Sequence, residues 1–270
     1  MPTRLARRPA ASASSTAVVA PRSAALTAYR RSYEKKSGQP DPHVAVFRGA
    51  VAAAQPHQLD GGGGGEGRVL YPGCHRHITA SLCFGRVDYV DCDVKVGDVF
   101  VDAAVRQWVE LQLRRQQPEA EPLSFCRPEW SFTCATYDSL QKHFAPESFD
   151  WLISLSAGIV SLPCLTFLKP GGFFLVNDSH GDASAARTAA APLLLRAVHV
   201  DGEWSDDALD AYFVTVRGAP LTRQQAREAA EVGAKARRSF RLAREAAFYL
   251  FQKPREADGA GEAPSKRRRV

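Results

Sequence analysis

Residues 168–178, LKPGGFFLVND, constrain this chain more than any other stretch. Lys169-Pro170-Gly171-Gly172 is a turn signal, because Pro and Gly break a preceding helix. The Phe and Val run that follows it fits a strand buried on both faces. A second unit of the same kind precedes it, Phe149 to Ser156 (FDWLISLS), again apolar and again ending in polar groups. Open parallel sheets build ligand crevices from buried strands that deliver polar side chains at their C-terminal ends. The expectation is an α/β domain that binds a ligand.

The rest of the chain alternates in the same way. Strands are expected at Arg68–Tyr71, Gly85–Asp91, Trp130–Ala135, Leu193–Val200, Tyr212–Val216 and Ala246–Gln252. Helix-prone stretches run from Ser23 to Lys36 and from Val44 to Ala54, and the Gly61–Gly65 run reads as a flexible loop. Asp98 can cap a helix in which Val101, Val105, Trp108 and Leu111 or Gln112 recur near a period of 3.6, with Pro118 marking its end. Thr222 and Gln225 form a capping box that opens a helical segment to about Arg244. Strands alternating with helices predict a doubly wound, mostly parallel sheet with helices on both faces.

Charge sits at the ends. The net charge is +6, yet residues 1–40 carry 8 basic residues against 1 acid and residues 254–270 carry 5 against 3, so the span between them is slightly acidic at −3. Such a core gives no footprint for sequence-blind nucleic-acid binding. The Arg-, Ala- and Ser-rich stretch 1–33 suits an organelle transit peptide and suits a disordered arm equally well. The C-terminal tail, 254–270, closes on Lys266-Arg-Arg-Arg269, a pattern compatible with nuclear import or with a solvated basic tail, so mitochondrion, plastid and nucleus all stay open. Six cysteines without a secretory signal read as reduced intracellular thiols, and no apolar run approaches the ~18 residues of a membrane span. The expected division is an arm at 1–33, a helical lead-in and Gly-rich loop at 34–65, an α/β domain at 66–253 and a tail at 254–270.

Over residues 66–253 these features resemble the class I S-adenosylmethionine-dependent methyltransferases. Val69-Leu-Tyr-Pro-Gly73 stands where that family has its first strand and glycine loop, and Val87-Asp-Tyr-Val-Asp91 where its second strand ends in an acid. Asp138, residues 168–178 and the final Phe248–Lys253 segment match its adenine-side loop, its fifth strand and its antiparallel last strand. The resemblance implies S-adenosylmethionine as cofactor, with Tyr71, Gly73, Asp91, Asp138 and Ser156 around it. It also implies methyl transfer to an acceptor that the sequence does not identify.

The residues supply physical reasons beside the resemblance. A carboxylate at a strand end can accept both ribose hydroxyl protons, and Asp91 lies 18 residues after Gly73, near one strand–helix–strand step. Gly73 allows close approach of backbone to ligand. The first loop departs from the family, however, because Tyr71 stands where an acid is usual, and a phenol offers no negative charge to an ammonium at neutral pH. That departure keeps a rival reading open: a non-catalytic member of the fold that binds a nucleotide-like ligand or a protein partner. A nicotinamide reading lacks any G-x-G-x-x-G after a strand.

Three further groups were candidates for chemistry. Asn177-Asp178-Ser179-His180-Gly181-Asp182 follows a buried strand, which suggests His180 as a base with Asp178 or Asp182 orienting it; a capped helix start is the alternative. Cys74, His75, His77 and Cys83 match no standard zinc spacing, and no metal is expected of them. The basic run Lys235–Arg244 reads as a solvated face or, less simply, as a surface for an acidic substrate or RNA. After Ser156 comes Ala157-Gly158 rather than the Asn/Asp-Pro-Pro-aromatic motif of many amino-methylating enzymes, which argues against base or glutamine methylation.

Overall fold

Alternating side chains in the central strands feed two separate cores. The computed structural model describes residues 21–34, 41–58, 67–116, 128–191, 193–232 and 240–255. In β1 (Arg68–Pro72), Val69 and Tyr71 join one apolar cluster and Leu70 the other. In β4 (Phe149–Ser154), Trp151 and Ile153 face the first cluster and Leu152 the second. In β5 (Leu168–Val176), Phe173 and Leu175 oppose Phe174 and Val176 in the same way. A strand apolar on both faces needs cover on both, and helices supply it.

On the first face lie α1 (Ala24–Tyr33), α2 (His43–Ala54) and α4 (Ala103–Gln116), through residues such as Leu26, Tyr29, Phe47, Val105 and Trp108. On the second lie α5 (Ser161–Cys164), α6 (Asp182–Arg187) and α7 (Arg223–Val232), through Cys164, Ala183, Ala186 and Ala226. The remaining helix, α3 (Asp98–Val101), precedes α4. The other strands are β2 (Arg86–Asp91), β3 (Glu129–Cys134), β6 (Leu194–Val200), β7 (Glu203–Ser205) and β8 (Phe248–Gln252).

The sheet order is β3-β2-β1-β4-β5-β8-β6-β7. Strands β1 to β5 pair in parallel, and β8 runs antiparallel to both β5 and β6. The expected doubly wound, mostly parallel sheet with an antiparallel last strand is therefore the observed fold. Chain order reverses between β1 and β4, which creates the switch-point crevice at the C-terminal strand ends.

Several local expectations change. Lys169–Gly172 bulges out of β5 rather than preceding it: Phe149 pairs with Leu168 and Trp151 with Phe173, and Gly171 takes φ +80°. Left-handed backbone of this kind is open to glycine without steric cost. The helix expected from Asp98 breaks at Asp102, whose carboxylate accepts the Val105 N–H (2.9 Å) and so caps α4. Tyr212–Val216 is no strand: only the single bridges Val214 to Pro220 and Thr215 to Leu242 form there. The Thr222–Gln225 capping box is present, with Gln225 N–H donating to Thr222 Oγ1 and Thr222 N–H to Gln225 Oε1. Its helix does not reach Arg244, because residues 240–247 are non-helical and Arg244 lies over the Tyr212 ring.

The boundary at residue 33 also moves. Ser23 caps α1, and Leu26 and Tyr29 are buried in the same cluster as β1, so residues 23–33 belong to the folded unit. The lead-in helix α2 does too, with Phe47 and Ala50 fully buried. Residues 1–20, the Gly61–Gly65 run, Lys235, Arg237, Arg238 and the tail beyond 255 lie outside the described residues. Among the described residues no helix is long and apolar enough to cross a membrane.

Candidate functional site

The ends of β1, β2 and β3 open into a cleft of about 670 Å³. Gly73, Asp91, Cys92, Thr136, Tyr137 and Asp138 form its polar side, and Ala135, Ile159, Leu162 and Pro163 its apolar side. A concave site with one apolar wall and a few convergent polar groups suits a small organic ligand. Three sequence-expected residues, Gly73, Asp91 and Asp138, thus meet in one place.

Asp91 is held before any ligand arrives. Its Oδ2 accepts the His75 N–H at 2.8 Å and its Oδ1 accepts the Asp93 N–H at 2.9 Å. A carboxylate has about four lone-pair sites, so two backbone donors orient it and leave acceptor capacity for ligand hydroxyls. Gly73 sits at φ +65°, and a Cβ there would come within 2.4 Å of both Ala157 Cβ and Tyr137 Oη. The crowding arises because Tyr137 Oη donates to Ala157 O at 2.7 Å, tying the β3 and β4 loops together beside the glycine.

Tyr71 is not in the cleft. It is buried beneath the sheet with Oη 2.7 Å from His77 Nδ1, while His77 Nε2 donates to Asp41 Oδ2 at 2.6 Å. Burial pushes the Tyr71 phenol well above its ordinary value, so it stays neutral. Burial also holds the His77 imidazole below its ordinary value, with Asp41 working against that. Ser156, at φ +57°, is exposed and bonded to Asn177 and Ser179 at the β4 and β5 ends, and it is not among the cleft's lining residues.

The Asn177–Asp182 cluster does not line the cleft either. Asp178 accepts Ser184 N–H (2.9 Å) and Ser184 Oγ–H (2.8 Å), satisfying a first-turn amide of α6. Asp182 is 1 % exposed and accepts from Ser154 Oγ (2.7 Å) and Ser161 N (2.9 Å), which joins β4 to the start of α5. Burial raises its carboxyl above the ordinary value, with the Ser161 and Ser154 hydrogen bonds working against that. Asp178 is thus bonded to Ser184 and Asp182 to Ser154 and Ser161, while His180 is half-buried in the turn before α6. The alternative is a helix start capped by Asp182 or Ser184; Gly181 instead occupies the cap position, and Asp178 accepts from Ser184 in the first turn.

The cysteine and histidine group after β1 is likewise dispersed. Cys74 and Cys83 are turned to the carbonyls of His75 and Val44, and His75 Nδ1 lies 3.0 Å from Tyr33 Oη. His77 instead joins Asp41 and His43, a grouping that sequence reading missed because residues 41 and 77 are far apart in the chain. The available signal was local: Asp41-Pro42 directly precedes a helix, and an acid there commonly bonds the first amides.

The decisive feature is topological: five parallel strands in the order 3-2-1-4-5, an antiparallel β8 inserted next to β5, and the cleft at the β1–β4 switch point. This is the methyltransferase-type Rossmann-like fold. No protein-family model matches the chain, and no curated protein matches it. Among solved structures, a Corynebacterium glutamicum protein from a structural genomics programme is similar at 14 % identity and TM-score 0.38, covering 87 % of this chain and 92 % of that one. A SAM-dependent methyltransferase from Methanosarcina mazei shows 12 % identity and TM-score 0.34, covering 75 % and 97 %. The fibrillarin/Nop5p complex shows 17 % and 0.30, covering 52 % and 61 %. Likenesses this weak carry no argument, and the methyltransferase-type fold rests on strand order and register.

Proposed function

We propose that the cleft binds the adenosine portion of S-adenosylmethionine and that the chain transfers a methyl group to an acceptor of unidentified class. The observation that carries this reading is the convergence of Gly73, Asp91 and Asp138 on one cleft at the switch point. Asp91 would accept the ribose hydroxyls, Ala135, Ile159, Leu162 and Pro163 would pack on the base, and Asp138 would accept from the base's exocyclic amine. The cofactor supplies a sulfonium-activated methyl group. The chain's own part is then to align donor and acceptor, the main source of rate in a displacement of this kind.

The fit is good for the adenosine half and poor for the methionine half. Tyr71, at the position of the usual acid, is buried and spent on His77, and the Tyr137–Ala157 tie crosses beside Gly73. Those observations favour a second reading, in which the fold binds an adenosine-bearing ligand without catalysis. Calorimetric titration with S-adenosylmethionine, S-adenosylhomocysteine and adenosine separates the two. Tighter binding of the full cofactors than of adenosine supports the methyltransferase. Equal affinity for all three supports the adenosine binder, and no binding of any sinks both.

A further inference from the structure

We propose that Asp41, His43 and His77 form a site for a divalent transition-metal ion of the zinc class, with an open position toward solvent. The three side chains come from the start of α2 and the loop after β1, and one ligand atom from each lies within 4.8 Å of the others. Asp41 Oδ1 is 2.8 Å from His43 Nδ1, and Asp41 Oδ2 is 2.6 Å from His77 Nε2. Ligands on a tetrahedral zinc with bonds near 2.0–2.1 Å stand ~3.3 Å apart, so seating the ion requires the two close pairs to open by ~0.5–0.7 Å and the widest pair to close by at most ~1.5 Å. Two imidazoles and one carboxylate are a donor set that such ions favour, and three protein ligands leave a fourth position for water.

The surroundings match what metal sites need behind their ligands. His77 presents Nε2 to the site while its Nδ1 meets Tyr71 Oη, a hydroxyl that can donate or accept and so serves either tautomer. Thr79 Oγ1 donates to Asp41 Oδ2, the oxygen that His77 also meets, and is itself bonded to Tyr29 Oη at 2.9 Å, which helps to hold the carboxylate in place. Tyr33 stacks on the His77 ring at 4.4 Å between centroids. Buried His77 and Asp41 form the floor, and His43, whose side chain is 30 % exposed, is the entry path. An ion here would tie α2 to the loop that carries Gly73 and Cys74, and so would brace one edge of the cleft.

The test uses the full chain, stripped with chelator and titrated with Co²⁺ and Zn²⁺. Cobalt reports its ligands: nitrogen and oxygen donors give d–d bands, whereas thiolates add a sulfur charge-transfer band. The expected result is one equivalent of Co²⁺ bound with d–d bands and no thiolate band, displaced by Zn²⁺. His43→Ala should weaken it at least tenfold, and Asp41→Asn should do the same. His43 is partly exposed, so that variant keeps the test open if Asp41→Asn misfolds. Absence of saturable binding, a thiolate band, or unchanged affinity in His43→Ala would each overturn the site.

Discussion

At the scale of single residues, acids of similar sequence appearance take up different work. Asp91 lies at a strand end with two backbone donors and faces the cleft. Asp88, three residues earlier, is buried and bonded to Arg68 Nε (2.7 Å) and Ser131 Oγ (2.8 Å), so its removal would disturb the sheet. Asp182 is buried with its carboxylate bonded to Ser154 and Ser161, and its raised carboxyl pKa has a consequence for stability. The folded state binds that proton more tightly than the unfolded one. The group's contribution is therefore fully present below the ordinary carboxylate range and is lost as pH rises through the folded-state value. Denaturant unfolding of wild type and Asp182→Asn across pH should show wild type gaining relative stability on acidification. A difference between the two that does not change with pH would contradict the assignment.

At the scale of elements, the two buried strands and the antiparallel last strand were legible because period-two burial on both faces leaves unbroken apolar runs. The cleft was legible in part for a related reason, since strand ends are marked by polar residues: Asp91 closes β2 and lines the cleft, whereas Ser156, beyond β4, does not. What could not be read was long-range pairing of side chains. Nothing local tells Tyr71 to bond His77 instead of facing the cleft, and nothing local announces that Tyr137 will reach Ala157. The Arg- and Ala-rich beginning misled by composition, because its last ten residues form α1 with Leu26 and Tyr29 buried. A chain beginning at residue 21 keeps every contact described for α1 and should unfold at the wild-type denaturant midpoint. A chain beginning at residue 34 loses three buried side chains, Ala25, Leu26 and Tyr29, of which the two large ones are each worth ~1.5–3 kcal/mol, and should be less stable by several kcal/mol. Equal midpoints for the two truncations would show that α1 does not pack as described.

At the scale of the whole molecule, the excess positive charge and the cleft residues fall on different stretches of the chain. The span 41–253 balances at −3, so the excess of basic residues lies in the two ends. A chain of residues 21–255 carries 28 basic against 26 acidic residues, +2 against +6 for the full chain, and should therefore lose most of any salt-sensitive retention on nucleic acid that the full chain shows. Persistent, salt-sensitive retention by the shortened chain would instead locate a basic surface on the folded unit and reopen the RNA reading of the Lys235–Arg244 run. The central claim concerns the cleft, and calorimetry with S-adenosylhomocysteine on wild type and Asp91→Ala tests it most directly. The account predicts saturable binding to wild type and a loss of roughly 1.5–3 kcal/mol in the variant, the scale of hydrogen bonds to a charged group. Absence of binding to wild type, or equal affinities for both proteins, would contradict it.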